Sequence, residues 1–272
     1  MRVSTTVLAL VALASSTFAA SIHHRHAHMH DKRSPAINEA LAGATPVQQT
    51  TAAASTPTPT ASSNVVSSWF SDLSTLLTQV GIVAAGSNPT SSGSGVWLGS
   101  DGTYTNTFYN KASETIVLVI WGPSGSWVNT IKPIITQAIS PGQSVVVSFA
   151  NGQSGAWSAL YPDTTLNNGQ VFNTWGEYTF AGSSSTVDVS REVNMGGHTM
   201  EIQTPQCVTN MNTCVFVCNS GNSCETGYSL LNCAAGSQAG ANYGTVNYGS
   251  GDVPSGGCSG MGTSAALQTT FS

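Results

Sequence analysis

Positive charge is scarce in most of this chain. Of its seven Lys and Arg residues, four (Arg2, Arg25, Lys32 and Arg33) fall in the first 33 positions. The rest keeps Lys111, Lys132 and Arg191 against eleven Asp and Glu, a net charge of −8 for residues 34–272. Three strong bases cannot cover a phosphate backbone, so neither nucleic acid nor an anionic membrane is expected as a partner. Cysteine is absent before position 207. No Asn-x-Ser/Thr acceptor occurs with x other than Pro; Asn88-Pro89-Thr90 is the near miss. After the N-terminus, no apolar run approaches the roughly 20 residues that a membrane-spanning helix needs. Gly-rich phosphate loops and a serine in a nucleophile-elbow setting are also missing, which argues against nucleotide binding and acyl transfer.

What is present begins with an export signal. Arg2 supplies a short positive region, Val7–Leu13 an apolar run, and Ser16–Ala20 small residues suited to cleavage, so residues 1–20 are expected to be a signal peptide. Residues 21–33 hold five of the six histidines and end in Lys32-Arg33, the pattern of a pro-segment closed by a dibasic cut. Imidazoles there suit copper, nickel or zinc, but any such site would leave with the pro-segment. Residues 34–63 are rich in Ser, Thr, Pro and Ala and are expected to form a disordered linker. Localisation is therefore expected to be extracellular, free or in a cell wall.

Over residues 64–86, Val66, Trp69, Phe70, Leu73, Leu76, Leu77 and Val80 recur at helical spacing, with Gly81 and Gly86 as stops. This predicts a short amphipathic helix. Residues 87–272 are expected to make a single β-rich domain. Glu114–Trp121 reads as a central strand, and further strands are expected at Ser144–Phe149, Ala156–Tyr161, Val171–Phe180, Thr186–Val189 and Thr199–Ile202. Pro141-Gly142, Asn151-Gly152 and Asn167-Asn168-Gly169 punctuate them, and this spacing favours a β-sandwich. The six cysteines, Cys207, Cys214, Cys218, Cys224, Cys233 and Cys258, lie in a C-terminal part spanning 207–258. An even count in an exported chain points to three disulfides among fifteen possible pairings, stapling Gly-rich loops. Neither metal nor cofactor is expected in the mature domain.

Several motifs carry a resemblance. The His-rich segment ending in Lys-Arg, the Ser/Thr/Pro linker, Phe108-Tyr-Asn110, Ile120-Trp-Gly-Pro123, Gly176-Glu-Tyr-Thr-Phe180 and Pro254-Ser-Gly-Gly-Cys258 together resemble the fungal secreted allergen family typified by the fourth Aspergillus fumigatus allergen. A more distant resemblance is to thaumatin-like proteins, and it implies an antiparallel β-sandwich with an acidic cleft for β-1,3-glucan. That likeness places the cleft glutamate on Glu177 and a cleft aspartate on Asp188. A further family aspartate, five positions on, falls on Val193. The neighbouring Glu192 would face the opposite side on a regular strand.

Two carboxylates can hydrolyse a glycoside when one is protonated and the other acts as base or nucleophile, and Glu177 with Asp188 is the candidate pair. Trp127, Trp157 and Tyr161 are the candidate sugar platforms, Trp127 first because it lies in Ser124-Gly-Ser-Trp127. His198, the only histidine outside the pro-segment, would need Glu192 or Glu201 to hold a metal. The leading expectation is a secreted cell-wall or surface protein, as a non-catalytic β-glucan-binding module. One alternative is an endo-β-1,3-glucanase; another is a secreted factor that engages a host protein.

Overall fold

The six consecutive apolar residues Ile116–Trp121 form strand β3, and all six are buried. A strand covered on both faces reads as such an unbroken run, because both sets of alternating side chains leave water. The computed structural model describes residues 73–235, 237, 240–248 and 256–272. The signal peptide, the pro-segment, the linker and the first part of the predicted helix lie outside these residues. Within them, helix α1 spans Leu73–Val80. It ends at Gly81, whose φ of 97° suits glycine and whose N–H donates to Leu77 O.

The strands in chain order are β1 Val96–Leu98, β2 Tyr104–Asn110, β3 Ile116–Trp121, β4 Ile135–Ile139, β5 Ser144–Phe149 and β6 Gln153–Leu160. There follow β7 Leu166–Asn167, β8 Gln170–Val171, β9 Trp175–Phe180, β10 Thr186–Ser190 and β11 Met200–Gln203. The C-terminal strands are β12 Val208–Asn210, β13 Val215–Cys218, β14 Tyr228–Leu231, β15 Thr245–Tyr248 and β16 Ala265–Phe271. Two large sheets result. One runs β1-β5-β2-β16-β11-β12, the other β15-β14-β13-β10-β9-β6-β3-β4, with β7-β8 a small ribbon.

Side-chain parity sorts the apolar residues into two layers. Ile116, Leu118, Ile120, Trp157, Tyr178, Phe180, Val187 and Val189 point from the eight-stranded sheet toward Tyr104, Phe108, Phe149 and Phe271 of the six-stranded one, forming the main core. Val117, Val119, Trp121, Ala156, Leu160 and Trp175 point the other way. There they meet Leu76, Leu77 and Ile82 from α1 and the turn after it. The eight-stranded sheet is thus apolar on both faces over its β3-β6-β9 portion.

The fold is mainly β, with one short N-terminal helix and a disulfide-tied C-terminal region. It departs from an all-antiparallel sandwich in two places, since β16 runs parallel to β2 and β10 parallel to β13. The predicted strand Val171–Phe180 is broken at 172–174, where Asn173 donates to Ala159 O and its Oδ1 accepts from the backbone of Thr174 and His198. The cysteine-rich part is not a set of stapled loops. Its strands β12 and β13–β15 extend both sheets, while Cys207–Cys258, Cys214–Cys233 and Cys218–Cys224 tie them.

Candidate functional site

The outward face of the eight-stranded sheet carries the acidic residues. On β9 the main-core positions are Tyr178 and Phe180, so Glu177 points outward. On β10, Val187 and Val189 enter the core, so Asp188 and Ser190 point outward too. The β9–β10 register sets Asp188 directly opposite Glu177, and their side chains are hydrogen-bonded to one another. The structure therefore brings the predicted pair together.

A third carboxylate joins them. The chain leaves β10 after Ser190, and Glu192 N–H donates to Ser190 Oγ. Regular strand alternation lapses there. Glu192 stays on the side of Glu177 and Asp188, where alternation from Asp188 also puts it, but Val193 does not turn to the opposite side and packs into the outer apolar cluster.

All three groups are withdrawn from solvent: Glu177 is 2 %, Asp188 4 % and Glu192 5 % exposed. Burial raises the pKa of Asp188 well above the ordinary carboxylate range, and the charges of Glu177 and Glu192 and the hydrogen bond with Glu177 add to it. Glu192 is raised in the same direction, by burial first and by Glu177 second. Asp188 Oδ1 and Glu192 Oε1 have no hydrogen-bond partner. The nearest strong base by sequence, Arg191, turns its guanidinium to the carbonyls of Met195 and Met211.

Asp188 is covered by Gly256-Gly257. A Cβ at Gly256 would lie 2.5 Å from Asp188 Oδ2 and 3.1 Å from a Phe216 ring carbon, and one at Gly257 would lie 2.4 Å from Asp188 Cβ. Only glycine permits so close an approach. Cys258 fixes this turn by its bond to Cys207 and by paired backbone hydrogen bonds with Val187. Beside Glu177, Trp121 and Trp175 meet edge-on at 4.9 Å. With Gly122, Pro123, Gly155 and Ala156 they line a recess of about 200 Å³, part of it open to solvent. The enclosed space within it is only about 10 Å³, far below the ~300–1,000 Å³ usual for small-molecule pockets.

Two of the three candidate sugar platforms, Trp157 and Tyr161, are buried. Trp157 is a core residue, fully buried, stacked on Tyr178 at 5.4 Å and edge-on to Phe108 at 5.3 Å. Gly176 makes room for it, since a Cβ there would lie 2.3 Å from the indole nitrogen. Neither face of that indole can reach a ligand. Tyr161 is buried as well, lying flat against His198 at 3.7 Å with 4° between the planes. Burial and the nearby charges of Glu114 and Asp163 push its hydroxyl pKa upward. Trp127 is half-buried, close to the exposed Ile131, whose N–H donates to its carbonyl.

His198 pairs with neither Glu192 nor Glu201; its Nε2 lies 2.8 Å from Asp163 Oδ1. Among the described residues, the one group with three candidate metal-ligating atoms within 4.8 Å of one another is Cys207, Cys214 and Cys258. All three are in disulfides, so none offers a thiolate.

These features define a two-sheet β protein with a closed acidic cluster on the outer face of its larger sheet. The family model of the Allergen Asp f 4-like domain matches residues 99–249, more than half of the chain, and the protein belongs to that family. No curated protein matches it. Among solved structures it is similar to the thaumatin-like xylanase inhibitor TLXI, at 12% identity and a TM-score of 0.33, over 61% of this chain and 97% of the inhibitor.

Proposed function

We propose that the protein is a secreted, non-catalytic recognition domain that acts by contacting another protein. One observation carries the reading: Glu177 and Asp188 are buried and hydrogen-bonded to each other. Glycoside hydrolysis by two carboxylates requires them about 5–5.5 Å apart for retention, or about 6.5–9.5 Å for inversion, with the sugar between them. A hydrogen-bonded pair is closer than either, leaving no room for a glycosidic bond. Among the described residues, the acidic surface and the exposed apolar side chains Val83, Ile131 and Tyr243 are open to contact. Leaving out the three buried carboxyl groups, eight acids face three strong bases in residues 34–272, a net −5; this suits a partner of basic character, and association would weaken with salt. Export would follow the signal peptide, with a cut after Arg33 leaving Ser34 first.

Binding of β-glucan without cleavage is the second reading, favoured by the half-buried Trp127 and the recess beside Glu177. One experiment separates the two. Secreted protein is incubated with fungal cell walls that are untreated, protease-stripped or glucanase-treated, and with purified β-1,3-glucan, while retention and released reducing ends are measured. Retention that is lost with protease and kept after glucanase supports a protein partner. Retention on pure glucan replaces it with the sugar reading. Reducing ends abolished by Glu177→Gln would establish a glucanase.

A further inference from the structure

We propose that Asn168-Gly169, at the tip of the β7–β8 ribbon, is a site of spontaneous covalent modification, where the asparagine amide is lost as ammonia and an aspartate or isoaspartate takes its place. The chain contains two Asn-Gly pairs, Asn151-Gly152 and Asn168-Gly169. A following glycine has no Cβ to obstruct attack of its backbone nitrogen on the asparagine side chain. The structure separates the two pairs. Asn151 Oδ1 accepts from Gly182 N–H at 2.8 Å, and Gly152 N–H donates to Phe180 O at 2.6 Å, so both reacting groups are engaged. At the ribbon tip, Leu166 pairs with Val171 and Asn167 with Gln170, which leaves Asn168 and Gly169 as the two turn residues. Asn168 is exposed, and among the described residues neither its side-chain amide nor the Gly169 N–H has a hydrogen-bond partner.

The turn itself explains why this pair is present. A two-residue hairpin favours positive φ at both central positions, and Asn-Gly supplies it: φ is 50° at Asn168 and 82° at Gly169. The same pair carries the chemistry. Hydroxide removes the Gly169 amide proton, the nitrogen attacks Asn168 Cγ, and the bond from Cγ to the side-chain nitrogen breaks as ammonia leaves. The product is a five-membered succinimide. Water then opens either ring carbonyl, giving aspartate or, when the former backbone carbonyl is attacked, isoaspartate. The sum is asparagine plus water going to a carboxylate plus ammonium, with no oxidant or reductant.

The reaction requires torsional change at the exposed tip alone. The base of the ribbon is held by Phe172 N–H donating to Thr165 O at 2.9 Å, by the buried Val171, and by Gln170 Nε2 donating to Ser126 Oγ at 3.2 Å, none of which involves Asn168. The outcome matters because of what the tip touches. A Cβ at Gly169 would lie 2.2 Å from Asn129 Oδ1, so the Asn129 amide rests on the tip. Asn129 lies within the turn closed by Ile131 N–H donating to Trp127 O. A carboxylate at position 168 adds one negative charge beside that turn, and isoaspartate also adds a methylene to the backbone. The exposed apolar surface at Ile131 therefore exists in a neutral-tipped and an acidic-tipped form. This holds whether or not that surface meets a protein partner.

Timed incubation of the secreted full chain, followed by peptic mapping in acid with mass spectrometry, tests it. The peptide containing Asn168 should gain about 1 Da with time, faster at alkaline than at neutral pH, and fragmentation should place the gain on Asn168 rather than Asn167. Conversion at Asn168 should exceed that at Asn151 by roughly tenfold or more, because Asn151-Gly152 must first lose two hydrogen bonds. In the denatured, reduced chain the two rates should converge, and a difference that persists there overturns the structural cause. Asn168→Gly keeps a residue suited to the turn and should abolish the gain. Absence of a mass gain at Asn168 in the folded protein overturns the proposal, as do equal rates at Asn151 and Asn168 there. Aspartate without isoaspartate also overturns it, because direct hydrolysis bypasses the succinimide.

Discussion

At the scale of single residues, position 256 leaves no room for a side chain. Alanine there would drive its methyl group to within 2.5 Å of Asp188 Oδ2. Gly256→Ala should cost about 1–3 kcal/mol in urea denaturation, whereas Gly93→Ala, which meets nothing within 4 Å, should stay within about 0.5 kcal/mol. Trp157→Ala should cost about 3–5 kcal/mol, because it empties the middle of the main core. The carboxylates give stability a sign with pH. Asp188 and Glu192 hold their protons more tightly folded than unfolded. Their contribution is complete below the unfolded carboxylate range and is lost as pH rises through the raised folded values. Stability measured by denaturant should fall across that interval by up to about 1.4 kcal/mol per pH unit for each retained proton, and Glu192→Gln should make the slope shallower. The pair Glu177 and Asp188 was legible in the motifs Gly176-Glu-Tyr-Thr-Phe180 and Asp188-Val-Ser190. Glu192 follows from alternation two steps beyond Asp188, whereas Val193 sharing its side does not, because that depends on β10 ending at Ser190. Nor was the burial of Trp157 and Tyr161 legible, since periodicity says which residues share a face, not what covers it.

Among the elements, the strands with clear apolar or alternating patterns were readable. Ser144–Phe149 was placed to the residue, and Ile116–Trp121 lies within the predicted Glu114–Trp121. The strands β12–β15 were missed, because Gly, Ser and Asn dominate their surroundings and their partners lie far away in sequence. Parallel pairing of β16 with β2 joins residues over 150 positions apart, beyond any local pattern. The disulfides should differ in weight. In the chain-entropy model Cys207–Cys258, separated by 51 residues, is worth about 4 kcal/mol, and Cys218–Cys224, separated by 6, about 2 kcal/mol. Replacing each pair with alanines and comparing denaturation midpoints should give that order. The reverse order would mean that strain or residual unfolded-state structure dominates.

On the scale of the whole molecule, the two sheets share one core, and neither is finished by consecutive strands. Strand β16 lies in the interior of the six-stranded sheet, between β2 and β11, with Leu267 and Phe271 in the core. Without it, β1-β5-β2 and β11-β12 have no hydrogen-bonded connection. Ending the chain before Ala265 should therefore abolish cooperative unfolding in circular dichroism rather than lower its midpoint, and partial retention of a sharp transition would contradict this. The same placement orders events during synthesis. While a ribosome is still adding residues 265–271, the six-stranded sheet exists only as two unjoined parts with open edges. The nascent chain must wait for β16 to emerge, and a chaperone that shields such edges stays engaged until then.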